Sequence, residues 1–189
     1  GAVIAERLIQ RLLRVDHSGE HGAVAIYSTQ LILARRFYPD LAPWLENTLA
    51  HERRHRTLFR NAMPSRMAKP CTLMFVWSGG GALLGALTAL CGRTGVYVCT
   101  ASVERTVHRH LVEQIDFLET ADAVLADIVR DILIEEDEHL RFAEDRHDRT
   151  SLFARGLGLF VSAATECLIF LSTRGDSMRL NASLQASLK

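Results

Sequence analysis

Apolar residues recur along this chain with a period close to 3.6, and β-branched alternation is rare, so the pattern predicts helices throughout. They fall at about 3–36, 41–63, 71–91, 95–119, 122–149 and 151–173. The breaks are FYPD (37–40), MPSRMAKP (63–70), GRTG (92–95), the surroundings of Thr120 and HDRTS (147–151). Pro39, Pro43 and Pro70 stand where helices start, a position that tolerates a missing N–H. Nothing reads as a sheet, and the expected fold class is all-α.

The stripes have an odd feature: some end in acid. In the fifth predicted helix Leu125, Val129, Ile132, Glu136, His139 and Ala143 step by fours and threes along one face. Glu136 and His139 therefore continue a core stripe, whereas Asp131, Glu135, Asp137 and Glu138 read as solvated or peripheral charge. The second helix repeats the design with Leu41, Leu45, Thr48, Glu52, His55 and Phe59, each 84 positions before its counterpart. Glu20 and Glu104 are also 84 apart, each 32 residues ahead of its own Glu-x-x-His, and Gln30 and Gln114 match at that offset. The chain is an internal duplication: a helix with one inward Glu, then a helix with Glu-x-x-His, twice.

A lone Glu-x-x-His is weak, and Glu144-x-x-His147 is an unrepeated, off-stripe example. The repeated set is stronger because two motifs, two single Glu residues and four stripes share one register. Four buried carboxylates are untenable alone, since each unpaired charge costs several kcal/mol after relaxation. Two divalent cations cancel four carboxylates, and two imidazoles complete the shell. Residues at i and i+3 share a helix face, so each motif can serve one ion. One Glu from each of two helices and Glu-x-x-His from each of two others is the donor pattern of ferritin-like dinuclear bundles. An oxygen-rich shell with one imidazole per ion suits iron or manganese. The expected ligands are Glu20, Glu52, His55, Glu104, Glu136 and His139. His17, His108 and His110 are left outside the site, and Tyr27, on the stripe of Glu20, reads as core packing.

Composition adds exclusions. Lys plus Arg and Asp plus Glu balance at 22 each, which argues against a nucleic-acid binder. Cys71, Cys91, Cys99 and Cys167 form no CxxC, so a reduced compartment is expected. No GxGxxG follows a strand, so electrons must come from an external donor. The chain begins at Gly1 rather than Met, and residues before it are expected. Between Lys69 and Arg93 no charge occurs in 23 positions. That length passes for a membrane span. A single span would part the two half-sites, so the segment reads instead as a crossover, buried or lying in a membrane interface. Gly81-x-x-x-Gly85 allows close helix contact there, and Lys69 and Arg93 are placed to snorkel.

RVDHSGEHGAVAIY (14–27), HERRH (51–55), CTASVERTVHRHLVEQI (99–115) and EEDEH (135–139) resemble the demethoxyubiquinone hydroxylase family of coenzyme Q biosynthesis. The likeness covers about residues 8–174, with RVDHxGExGA its most specific element. It implies a ferritin-like di-iron hydroxylase domain over 1–174 and a flexible tail over 175–189, with the same six ligands. It implies two Fe2+ ions per chain, O2, an external two-electron donor such as NADH, and a polyprenyl demethoxyquinol substrate. It further implies a peripheral protein on the matrix side of the mitochondrial inner membrane, with a lipid-binding partner, or on the cytoplasmic face of a bacterial inner membrane. The alternatives are a ferritin-like iron oxidase or store, and a structural member of a quinone-synthesis complex. Position 21, commonly Tyr in the family, is His here.

Overall fold

The computed structural model describes residues 1–172 and 176–187. Seven α-helices follow in order: α1 (Ala2–Phe37), α2 (Ala42–Ala62), α3 (Met74–Leu90), α4 (Gly92–Ala121), α5 (Ala123–Glu144), α6 (Leu152–Ser172) and α7 (Asp176–Ser187). No strand occurs among the described residues, and the architecture is a ferritin-like helical bundle.

Short connections make α1/α2 and α4/α5 antiparallel pairs, one per half of the repeat. The α4/α5 joint is a single residue. Asp122 Oδ1 accepts from the Leu125 N–H at 3.0 Å, capping α5, while its carboxylate pairs with Arg66. At the α3/α4 joint Gly92 takes φ +85°, a conformation open to glycine that lets the chain reverse at once.

Helix α3 is the crossover between the halves and lies along α1. Its glycines bring it there, as the spacing predicts. A Cβ at Gly81 would stand 2.7 Å from the Gly22 carbonyl oxygen, and one at Gly85 would stand 2.5 Å from that of Ile26. Thr88 Oγ1 then accepts from Gln30 Nε2 at 2.9 Å, so the nitrogen of this buried amide has a partner while its oxygen has none. Of the two cations placed to snorkel, Lys69 is exposed, but Arg93 is held by Asp40 at 2.6 Å and lies over the Tyr38 ring.

Two apolar clusters bracket the middle of the bundle. One gathers Leu12, Phe59, Leu111, Leu125 and Ile132; the other gathers Ile26, Leu31, Leu45, Val96 and Val161. The stretch after residue 174, expected as a flexible tail, includes α7. Leu180 and Leu184, one turn apart, are buried in the first cluster, and that spacing gives even a short helix an apolar edge to dock.

Helix α6 carries a surprise. By length and composition Leu152–Leu171 is the one described helix able to cross a membrane, ahead of the shorter α3. Yet it is two-faced. Ala154, Val161, Thr165 and Ile169 are buried, while Leu152, Phe153, Leu159, Phe160, Phe170 and Leu171 are exposed. Leu168 stands over Gly80, so the outer faces of α6 and α3 adjoin, and α3 adds exposed Phe75, Leu83, Leu87 and Leu90.

Candidate metal centre

All six residues singled out by the repeat meet between the two apolar clusters. Glu20 comes from α1, Glu52 and His55 from α2, Glu104 from α4, Glu136 and His139 from α5. None is more than 4% exposed. They fall into two quartets whose ligand atoms lie within 4.8 Å of one another: Glu20, Glu52, His55 and Glu136, then Glu52, Glu104, Glu136 and His139. Glu52 and Glu136 belong to both. The geometry therefore separates shared carboxylates, supplied by the two Glu-x-x-His motifs, from Glu20 and Glu104 at either end.

Helical spacing explains the pairing within each motif. His55 Nδ1 lies 3.7 Å from Glu52 Oε2, and His139 Nδ1 lies 3.9 Å from Glu136 Oε2, both at i and i+3. Across the bundle His55 Nδ1 approaches Glu136 Oε1 at 2.7 Å and Glu20 Oε2 at 3.8 Å. His139 Nδ1 approaches Glu52 Oε1 at 3.3 Å and Glu104 Oε1 at 3.7 Å. Both rings point Nδ1 at the carboxylates and Nε2 away.

These groups crowd without satisfying one another. Glu52 Oε1, Glu104 Oε2, Glu136 Oε1 and Nδ1 of both histidines are buried without an aligned hydrogen-bond partner. Orphaned atoms at such density are costly in a native core and call for a bound ion. The donor set, four carboxylates and two imidazoles converging on two points, fits two divalent cations.

The electrostatics say the same. Burial, reinforced by Glu52 and Glu136, holds the Glu20 carboxyl well above its ordinary range. Burial and then Glu136 push Glu104 up to about 8. Burial alone would lower the His55 ring, but Glu136, Glu20 and Glu52 outweigh it and raise it to about 12. His139 is likewise raised, the surrounding carboxylates overcoming burial. Ligands of these types bind a metal in their deprotonated forms, so metal uptake at such a cluster releases protons.

Partners around the cluster were less legible. Tyr27, expected as packing, is fully buried and donates its hydroxyl to Glu104 Oε1 at 2.7 Å. Glu135, expected as solvated charge, turns inward enough for Oε2 to reach His55 Nε2 at 3.4 Å, and Arg54 grips its other oxygen. His51 Nδ1 sits 2.9 Å from His139 Nε2. Being on the stripe was the signal for Tyr27; standing directly before Glu-x-x-His was the signal for His51 and Glu135.

Residues kept out of the set stay out. His108 faces Asp137 at 3.9 Å on the surface, and His110 faces Glu166 at 3.8 Å. His17 is buried and joins neither quartet. In the unrepeated motif Glu144 pairs with Arg105 at 2.8 Å, and His147 lies 2.7 Å from the Ala143 carbonyl oxygen. His21 bridges helices: Nε2 meets Ser78 Oγ at 2.6 Å and Nδ1 meets Arg56 at 3.2 Å.

Fold and site together define a ferritin-like bundle with a buried, duplicated carboxylate–histidine cluster. Comparison with known proteins narrows this. The family model described as "Ubiquinone biosynthesis protein COQ7" matches residues 7–172, and the chain belongs to that family. A mouse relative, named NADPH-dependent 3-demethoxyubiquinone 3-hydroxylase, mitochondrial, is 31% identical over 170 residues, 88% of this chain and 77% of its own. The 3-demethoxyubiquinol 3-hydroxylase of Rhodospirillum rubrum is 37% identical over 132 residues, 70% of this chain and 62% of its own. The 5-demethoxyubiquinone hydroxylase, mitochondrial, of Saccharomyces cerevisiae is 34% identical over 102 residues, 54% and 44% respectively.

Proposed function

We propose that this chain is an O2-dependent di-iron hydroxylase of a demethoxyubiquinol ring, acting in ubiquinone biosynthesis. The observation that carries the reading is the pair of buried quartets sharing Glu52 and Glu136, in a chain whose relatives are named hydroxylases of this substrate. Glu20, Glu52, His55 and Glu136 would hold one ion, and Glu52, Glu104, Glu136 and His139 the other. Bound iron would supply the activation of O2 that no side chain of the site can provide.

The chain's own residues do the rest. Glu52 and Glu136 hold the two metal positions at a fixed spacing from facing helices. Tyr27 keeps a proton on its hydroxyl and uses it to fix Glu104 Oε1. The flanking apolar clusters keep water from the six residues. Reducing equivalents come from outside; a nicotinamide dinucleotide suits the name of the mouse relative, which is NADPH-dependent.

A polyprenyl substrate lives in a bilayer, and the adjoining apolar faces of α6 and α3 give the protein a means to meet it. Helix α6 lies on the bundle with one face buried, so the reading is a helix in the plane of the membrane interface rather than a span. The surface would be the matrix side of the mitochondrial inner membrane, or the cytoplasmic face of a bacterial one. The same apolar face can receive a lipid-binding partner.

The test is a single turnover. The protein is loaded anaerobically with two Fe(II) per chain, given a short-chain demethoxyquinol, and exposed to labelled O2. One labelled oxygen on the ring by mass spectrometry is the expected result, lost in Glu104→Ala. Iron oxidation with an unmodified ring would sink the hydroxylase reading in favour of an iron oxidase.

A further inference from the structure

The two outward nitrogens of the buried histidines are faced by a pair of residues that the duplication itself relates. His51 and Glu135 each stand one position before a Glu-x-x-His, and they are 84 residues apart. Glu135, on α5, faces His55 on α2, with Oε2 at 3.4 Å from Nε2, a close contact rather than an aligned hydrogen bond. His51, on α2, reaches His139 on α5, with Nδ1 at 2.9 Å from Nε2, the rings stacked at 5.2 Å. Shifting the first contact by 84 positions in each partner yields the second. The arrangement is crosswise: each half of the repeat supports the histidine of the other half.

We propose that His51 and Glu135 are positioning residues that orient His139 and His55, respectively, for metal binding. The inference rests on the proposed metal centre and goes beyond its six ligands. A histidine whose Nδ1 faces an ion must carry its proton on Nε2. That N–H needs an acceptor, which fixes both the tautomer and the ring's rotation. Glu135 offers a carboxylate oxygen, steadied from outside by Arg54. His51, whose side chain is 26% exposed, offers Nδ1 as acceptor to His139. His51 Nδ1 also lies 3.2 Å from Glu135 Oε2; one ring nitrogen cannot both accept from His139 and donate to that carboxylate, so accepting from His139 leaves this second contact without a proton. One carboxylate and one imidazole thus do the same task at pseudo-equivalent places. That asymmetry makes the two metal positions chemically distinct, although their ligand sets match.

The test is a set of anaerobic Co(II) titrations read by calorimetry and by the visible spectrum of the bound ion, with no turnover required. His51→Leu is expected to weaken one of the two ions about 10- to 100-fold, the size of effect such outer partners have on metal affinity. His51→Gln, whose amide oxygen can accept the same N–H, should restore most of the loss. Glu135→Leu should weaken the other ion, with Glu135→Gln recovering part.

Crosswise support is then read from double variants. In a His139→Ala background, His51→Leu should change the remaining ion's affinity less than about 2-fold, as expected for a lost partner. In a His55→Ala background it should show its full effect. Equal effects in both backgrounds would overturn the crosswise assignment, as would unchanged affinities in Leu variants with a native helical spectrum. Failure of the unaltered chain to bind Co(II) or Fe(II) would overturn the metal-centre reading itself, and this inference with it.

Discussion

Tyr27 does more than fill space. Its ring is sealed in the second apolar cluster and its hydroxyl is spent on Glu104. Tyr27→Phe keeps the packing and strips a buried carboxyl oxygen of its donor, which costs about 1–3 kcal/mol. Urea denaturation of the metal-free chain should show a loss of that size with an unchanged slope. Asp16 tests burial in the opposite sense. It is 8% exposed, Oδ1 accepts from Gln114 Nε2 at 2.9 Å, and Oδ2 has no hydrogen-bond partner. Burial, partly offset by Gln114, raises its carboxyl from 3.8 to about 7. A folded value above the unfolded one gives stability that is complete below pH 4 and lost as pH rises to about 7. Three units correspond to about 4 kcal/mol at most. Asp16→Asn preserves the acceptor and cannot ionise. Its metal-free stability should exceed that of the unaltered chain by more at pH 8 than at pH 4.5. An equal difference at both values would mean Asp16 ionises as freely in the folded chain as in the unfolded one.

At the scale of the helix, the decisive contacts are backbone to backbone. Gly85 lies against Ile26 so closely that an added methyl must push α3 away from α1, since the obstacle is a carbonyl oxygen rather than a side chain. Gly85→Ala should therefore destabilise the fold by about 1–3 kcal/mol. Gly79, on the same helix, has nothing within 4 Å of its Cβ position. Gly79→Ala should instead stabilise by about 0.5–1 kcal/mol through the entropy of the unfolded chain. Thermal melts of the two variants should move in opposite directions. The sequence made these helices legible because periodicity survives any fold that buries one face. The first helix was expected at 3–36 and occupies Ala2–Phe37. The six cluster residues were legible for the same reason, their positions continuing apolar stripes in two matched registers. Glu135 and His51 were not, because they sit about 100° around the helix from the stripe, where sequence alone separates no wet carboxylate from one that bends inward. The shape of α6 was hidden as well. A run of apolar residues says how greasy a helix is, and only the packing of Val161 and Thr165 against the bundle says which side is left over. The edge of α7 rests on just two leucines, too few to register as a period.

For the whole molecule, the oddity is a protein with balanced charge that leaves a broad apolar face uncovered. Large exposed apolar patches on soluble monomers are uncommon and mark a surface that something else covers. Here the patch is built on two adjoining helices, α3 and α6, whose inner faces are committed to the bundle, so it cannot be buried by a local rearrangement. The proposed cover is the lipid interface that holds the substrate. Fully burying a Leu or Phe side chain contributes about 1.5–3 kcal/mol, so replacing one inserted residue by a charge should weaken membrane partitioning by at least about tenfold. Phe160→Glu and Leu83→Glu place a charge on each helix without touching the core, since both side chains are largely exposed. Both variants should bind metal as the unaltered chain does, yet remain in the supernatant when sedimented with neutral phosphatidylcholine vesicles. If both variants sediment with the vesicles as the parent does, the apolar face is not what meets the membrane. If only one loses binding, the contact is confined to that helix, and the ring's path to the metal cluster must start beside it.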